Sequence, residues 1–129
     1  MTEQDTKDKI VERMGDLADD AGERVKRVEA EMGAASTEEV PRIDRVADLA
    51  GRVAYERARQ HTLVMFHSYV LSQTVADAYV WTVKEVANCG AGGTSSANPA
   101  HNLIADRSQH GSSKALEEIS SLLNGMRAL

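Results

Sequence analysis

The stretch from His61 to Val83 most constrains the fold, because it carries a single formal charge, Asp77. Residues 1–60 hold 26 of the 35 acidic and basic side chains in this chain of 129 residues, whereas residues 61–129 hold 9. A charged half is therefore joined to a half that must be buried. The net charge of only −5 favours a folded chain over a disordered one, and the length suits a single domain over 1–129.

The charged half begins with a clear helical pattern. Apolar residues from Ile10 to Met32 recur on one narrow stripe at 100° per residue, and most acidic residues face away from it. This pattern predicts a charged amphipathic helix over 7–33, ended by Gly33. We expect the polar residues before it, 1–6, to form a disordered tail.

A second and much longer helix is predicted to follow. The segment Ser36–Glu39 matches a capping box, and Pro41 is compatible with a first helical turn. No proline interrupts the apolar pattern that follows. We therefore expect one long helix over 38–88, apolar from residue 63, with a kink near residue 60 as the alternative.

The C-terminal part contains two further helical patterns. A Gly/Ser-rich segment over 89–98 predicts a flexible loop, and Pro99 after an asparagine suits the first position of a helix. Gly111 then separates two short helices within 99–129. The predicted fold class is all-α: a helical bundle with one long central helix and two short C-terminal helices, completed by oligomerisation.

Oligomerisation is expected because the long helix is apolar around its whole circumference after residue 63. One face of the first helix and two short helices would cover only part of that surface. A second copy of the chain is the expected cover for the remainder. The residues predicted at this oligomer interface are Phe66, Val70, Tyr79, Trp81 and Val83.

The long helix also carries arginines at nearly helical spacing, opposite its alanine and valine face. This arginine stripe consists of Arg42, Arg45, Arg52 and Arg59. It could bind phosphates or an acidic partner. Because Asp48 and Glu56 lie among the arginines, a salt-bridged solvent face is the commoner outcome of such a pattern.

Signatures of enzymatic or cofactor chemistry are absent from the sequence. None of the four histidines has a second histidine or a cysteine three or four residues away, and the glycine-rich segment lacks the lysine of a phosphate-binding loop. No nucleophile elbow occurs. We therefore expect neither a cofactor nor a catalytic site.

The favoured function is a non-enzymatic helical assembly or interaction protein, a homo-oligomer through residues 62–88 that also receives a protein client. The single cysteine and the polar N-terminus favour the cytoplasm. A small nucleic-acid-binding regulator or packaging subunit, using the arginine stripe, is one alternative. A single-span membrane protein is another, although Asp77 near the bilayer centre would cost roughly 3 kcal/mol.

Overall fold

The computed structural model describes residues 2–38, 40, 42–91 and 99–127 of the chain. These residues form four helices and contain no strand: α1 (Glu3–Ser36), α2 (Ile43–Ser72), α3 (Val75–Ala91) and α4 (Pro99–Arg127). The all-α prediction is confirmed. Of the predicted loop over 89–98, the first three residues belong to α3, and 92–98 lie outside the described residues.

Helix α1 begins earlier than its apolar stripe suggested, because a capping box fixes its first turn. The hydroxyl of Thr2 accepts a hydrogen bond from the backbone N–H of Asp5, and the carboxylate of Asp5 accepts one from the N–H of Thr2, each at 3.2 Å. The expected disordered tail over 1–6 is therefore wrong for residues 3–6. At the other end α1 runs past Gly33 to Ser36, so α2 begins later than predicted, at Ile43.

The predicted long helix over 38–88 is wrong, because it is divided at Gln73 and Thr74 and not near residue 60. Thr74 caps α3: its hydroxyl accepts a hydrogen bond from the N–H of Asp77 at 3.1 Å and donates to the Asp77 carboxylate at 2.9 Å. Across the resulting hairpin, the rings of Phe66 and Trp81 lie 5.4 Å apart. Contacts between α2 and α3 thus override a local pattern that permits one helix.

Helix α4 is a single helix of 29 residues, so the two predicted short helices are one. Gly111 does not end it. This glycine is buried where α4 crosses α2, and a Cβ at this position would overlap the backbone carbonyl oxygen of Tyr55. Gly111 is therefore required for the close approach of two helices, and not for a turn.

Successive helices alternate in direction, with α2 at the centre. Ion pairs join the end of α1 to the first half of α2 (Arg57 to Glu29, 2.8 Å; Arg52 to Glu31, 3.6 Å), so these helices are antiparallel. Helix α4 runs parallel to α2. Helices α1 and α4 pack extensively on α2 but make few contacts with each other, and α3 packs mainly on α4.

The hydrophobic core lies where all four helices meet, around the end of α2. Its largest fully buried side chains come from α1, α2 and α4, and α3 contributes the buried Ala78. They are Ile10, Met14, Leu63, Phe66, Val70, Ile119 and Leu123. In the half of the chain that was expected to need a second copy, core residues such as Phe66 and Val70 are therefore covered by the chain's own helices.

Candidate interaction surface

The predicted interface residues on α2 lie inside the fold. Phe66 and Val70 are both fully buried, because α2 reverses into α3 and α4 packs beside it. They cannot contact a second copy while this arrangement holds. The prediction that they form an oligomer interface is therefore not met by the folded chain.

The two predicted aromatic residues on α3 are half-buried and already have partners. The hydroxyl of Tyr79 donates a hydrogen bond to the backbone carbonyl of Leu123 at 2.7 Å, which ties α3 to α4. Trp81 packs on Phe66 and, with ring centroids 6.0 Å apart, on Tyr69. These contacts join α3 to its own chain and leave both side chains only partly exposed.

Val83 is the predicted interface residue that remains open, with 69% of its surface exposed. Val80 and Val86, at spacings of three residues on the outer side of the same helix, are 53% and 48% exposed. We call these three residues the α3 face. Val80 and Val86 were missed because a helix thought to be buried all round offers no way to tell its inner side from its outer side.

A shallow groove of about 880 Å³ is lined by Val80 and Val83 of the α3 face, together with Val75, Ala76 and Tyr79. Its floor is apolar, and its rim carries charges of opposite sign: Glu3 from the first turn of α1, and Lys84 from α3 itself. An apolar floor with a charged rim is typical of protein interaction sites. The capped start of α1 is what places Glu3 at this rim.

The arginine stripe does not form one surface in the structure. Arg42 and Arg52 are exposed and lie 3.4 Å and 3.6 Å from carboxylates of Asp44 and Glu31. Arg45 is exposed near the start of α2, whereas Arg59 is buried. Because one of the four arginines faces the interior and two lie beside acids, they present no continuous basic face to a nucleic acid.

Arg59 instead joins α2 to α4 through a buried ion pair. Its Nε and Nη2 donate hydrogen bonds to the two carboxylate oxygens of Glu118 at 2.7 Å and 2.8 Å. This hydrogen bonding raises the pKa of Arg59 above its ordinary value. The third nitrogen, Nη1, lies 3.9 Å from the carboxylate of Asp20 in α1 and has no hydrogen-bond partner. The buried Oε2 atom of Glu56 also has no hydrogen-bond partner.

Two further function classes can be compared with the described residues. Residues 63–83, the apolar stretch that a single-span protein would place in the bilayer, are divided between two antiparallel helices. No helix within 2–38, 42–91 and 99–127 is long and apolar enough to cross a bilayer. Within the same residues, no group of three or more His, Cys, Asp or Glu side chains is placed to hold a metal ion.

Comparison with known proteins gives no relative. The chain matches no protein-family model, no curated protein and no solved structure. The functional argument therefore depends on the α3 face and on the way the helices are joined.

Proposed function

We propose that this chain is a non-enzymatic helical assembly protein that self-associates through the α3 face. The observation that carries the proposal is the exposure of three valines on one side of one helix, two of which line an apolar groove. Exposed valines scattered singly need no explanation, but a contiguous apolar strip on a folded chain marks a contact surface.

The rim of the groove supports a second copy as the occupant. Two-fold association brings the same surface of both copies together, so that surface must complement itself. With the valines of two copies facing each other, Glu3 of one copy can approach Lys84 of the other on both sides of the axis. The apolar floor would then be covered, and the charges at the rim would fix the register.

The experiment compares Val83→Glu with Ile43→Glu. Both residues are strongly exposed, at 69% and 84%, but Ile43 lies at the start of α2, far from the α3 face. The molar mass of each variant is measured by light scattering over a range of concentrations. We expect the wild-type chain and Ile43→Glu to dimerise alike, and Val83→Glu to dissociate at least ten times more readily.

Thermal unfolding at low concentration is the control for folding. Neither Val83→Glu nor Ile43→Glu should change the stability of the monomer by more than about 0.5 kcal/mol, because both residues are exposed. A wild-type chain that stays monomeric at every concentration would contradict the proposal. Equal association of Val83→Glu and Ile43→Glu would contradict it as well, because the α3 face would then have no part in the contact.

A further inference from the structure

The junction between α2 and α3 lacks the residues that usually end a helix. Ser72, Gln73, Thr74 and Val75 include no glycine and no proline. Gln73 has an extended backbone (φ −126°, ψ 175°), and no described residue has the positive φ of a typical helix C-terminus. Ser72, Gln73 and Thr74 are exposed. The junction therefore contains no glycine or proline that would prevent α2 from continuing into α3.

The side-chain cap of α3 is the main local interaction that favours the break. It consists of the hydrogen bonds between Thr74 and Asp77, all of them exposed. At the end of α2, the hydroxyl of Ser72 bonds back to the carbonyls of its own last turn at 3.2 Å and 3.4 Å. A straight helix would lose the cap, but it would gain backbone hydrogen bonds across residues 73 and 74.

We propose that the chain forms an exchanged dimer: α2 and α3 straighten at Gln73–Thr74 into one helix, and the α3–α4 unit of each copy packs on the α1–α2 unit of the other. The α3–α4 unit moves together because the hydroxyl of Tyr79 is bonded to α4. Domain exchange of this kind requires little more than a hinge with two stable conformations. The partner is again a second copy, but the contact differs from the α3 face, so the exchange goes beyond the proposed self-association and does not depend on it.

The contacts that would be remade between copies are specific ones. Glu118 would accept the same bidentate hydrogen bonds from Arg59 of the other copy. Gly111 of α4 would pack against the backbone of Tyr55 of the other copy. Every buried contact of α2 with α3 and α4 is thus preserved. The balance between monomer and dimer then depends on the hinge and on concentration.

Two hinge variants test the exchange in opposite directions. Thr74→Ala removes the cap of α3, which destabilises the closed hinge roughly fivefold. Because the dimer contains two hinges, we expect the dimerisation constant to rise by about 25-fold. Val75→Pro suits the first position of α3, where no N–H is needed, but it breaks a continuous helix. We expect Val75→Pro to lower the dimerisation constant by about ten-thousandfold, whereas its packing control, Val75→Ala, stays within a few-fold of the wild type.

A distance measurement identifies the exchanged form. Spin labels at the exposed positions Asp48 and Asn88, in a chain with Cys89→Ala, are separated by 40 residues. They would lie about 60 Å apart along a continuous helix and about 20 Å apart in the hairpin. Labelled chains are diluted with unlabelled ones, so that the two labels of a single chain are measured.

Exchange predicts a dimer fraction in which the 60 Å distance appears, increased by Thr74→Ala and removed by Val75→Pro. A Val83→Glu chain whose dimer keeps only the 20 Å distance, or equal dimerisation of Val75→Pro and Val75→Ala, would overturn the proposal. So would the absence of a dimer in both the wild-type chain and Thr74→Ala. Val83→Glu separates the two hypotheses, since it weakens association through the α3 face but leaves exchange intact.

Discussion

Replacing Glu118 with alanine would leave the guanidinium of Arg59 in the interior without its main partner. The Arg59 side chain is 7% exposed, and both of its hydrogen bonds to acceptors go to Glu118. Removing one member of a buried ion pair costs about 3–5 kcal/mol. We expect about 3 kcal/mol for Glu118→Ala, because the carboxylate of Asp20, 3.9 Å from Nη1, remains to compensate part of the charge.

The paired replacement separates the burial of a lone charge from the contribution of the ion pair itself. Arg59→Met combined with Glu118→Leu keeps the volume and removes both charges, so we expect stability within about 1 kcal/mol of the wild type. Asp20→Asn is the surface control, since that carboxylate is half exposed, with an expected change below about 1 kcal/mol.

The assay is urea unfolding followed by circular dichroism at neutral pH, which gives the free energy of unfolding of each variant. Low concentration keeps association out of the measurement. The reasoning would be refuted if Glu118→Ala lost less than 1 kcal/mol, or if the paired replacement lost as much as the single one.

Three other predictions concern packing and pH. Gly111→Ala should destabilise the chain by about 3 kcal/mol in urea unfolding, because the new Cβ overlaps a backbone oxygen that cannot rotate away. Gly125→Ala, whose Cβ meets no atom within 4 Å, should instead stabilise the chain by up to about 1 kcal/mol in the same assay. At low concentration, where the chain is monomeric, Phe66→Ala should cost about 3–5 kcal/mol, whereas Val83→Ala should change the stability by less than about 0.5 kcal/mol; a loss below about 1 kcal/mol for Phe66→Ala under these conditions would contradict its burial within one chain. A backbone hydrogen bond from the N-cap residue holds the pKa of Asp5 below 3.8, so the cap stabilises α1 above that pH and is lost as the pH falls through the lower folded value; amide exchange in the first turn of α1 should rise there, and Asp5→Asn should remove this pH dependence.

The sequence predicts the elements of this fold better than their joints. The apolar stripe of α1 and the proline that begins α4 both lie in helices as predicted, because helical periodicity and an N-terminal proline act locally. The break at Gln73–Thr74 depends on contacts between residues far apart, and its only local sign is the Thr74–Asp77 cap. Gly111 shows the same limit: a glycine that permits a crossing has the same sequence appearance as one that ends a helix.

The candidate surface was harder to predict for the same reason. Once α2 and α3 form a hairpin, the apolar circumference of the predicted long helix divides into an inner side, with Phe66 and Val70, and an outer side, with Val83. The arginine stripe divides likewise, since its spacing is equally regular for Arg45, which is exposed, and Arg59, which is buried. Periodicity gives the faces of a helix, but only the neighbouring helices decide which face is covered.

The position of α2 between α1 and α4 also has a consequence during synthesis. Arg59 precedes Glu118 by 59 residues, which take about 3–12 s to translate at 5–20 residues per second. During that time α1 and α2 can form their hairpin, because their contacts are close in sequence, while the side of α2 that receives α4 faces water. Two nascent chains on one messenger RNA can therefore both expose this side of α2 before the α4 of either chain has been synthesised. The first α4 to be completed can then pack on the α2 of its own chain or on the α2 of the other.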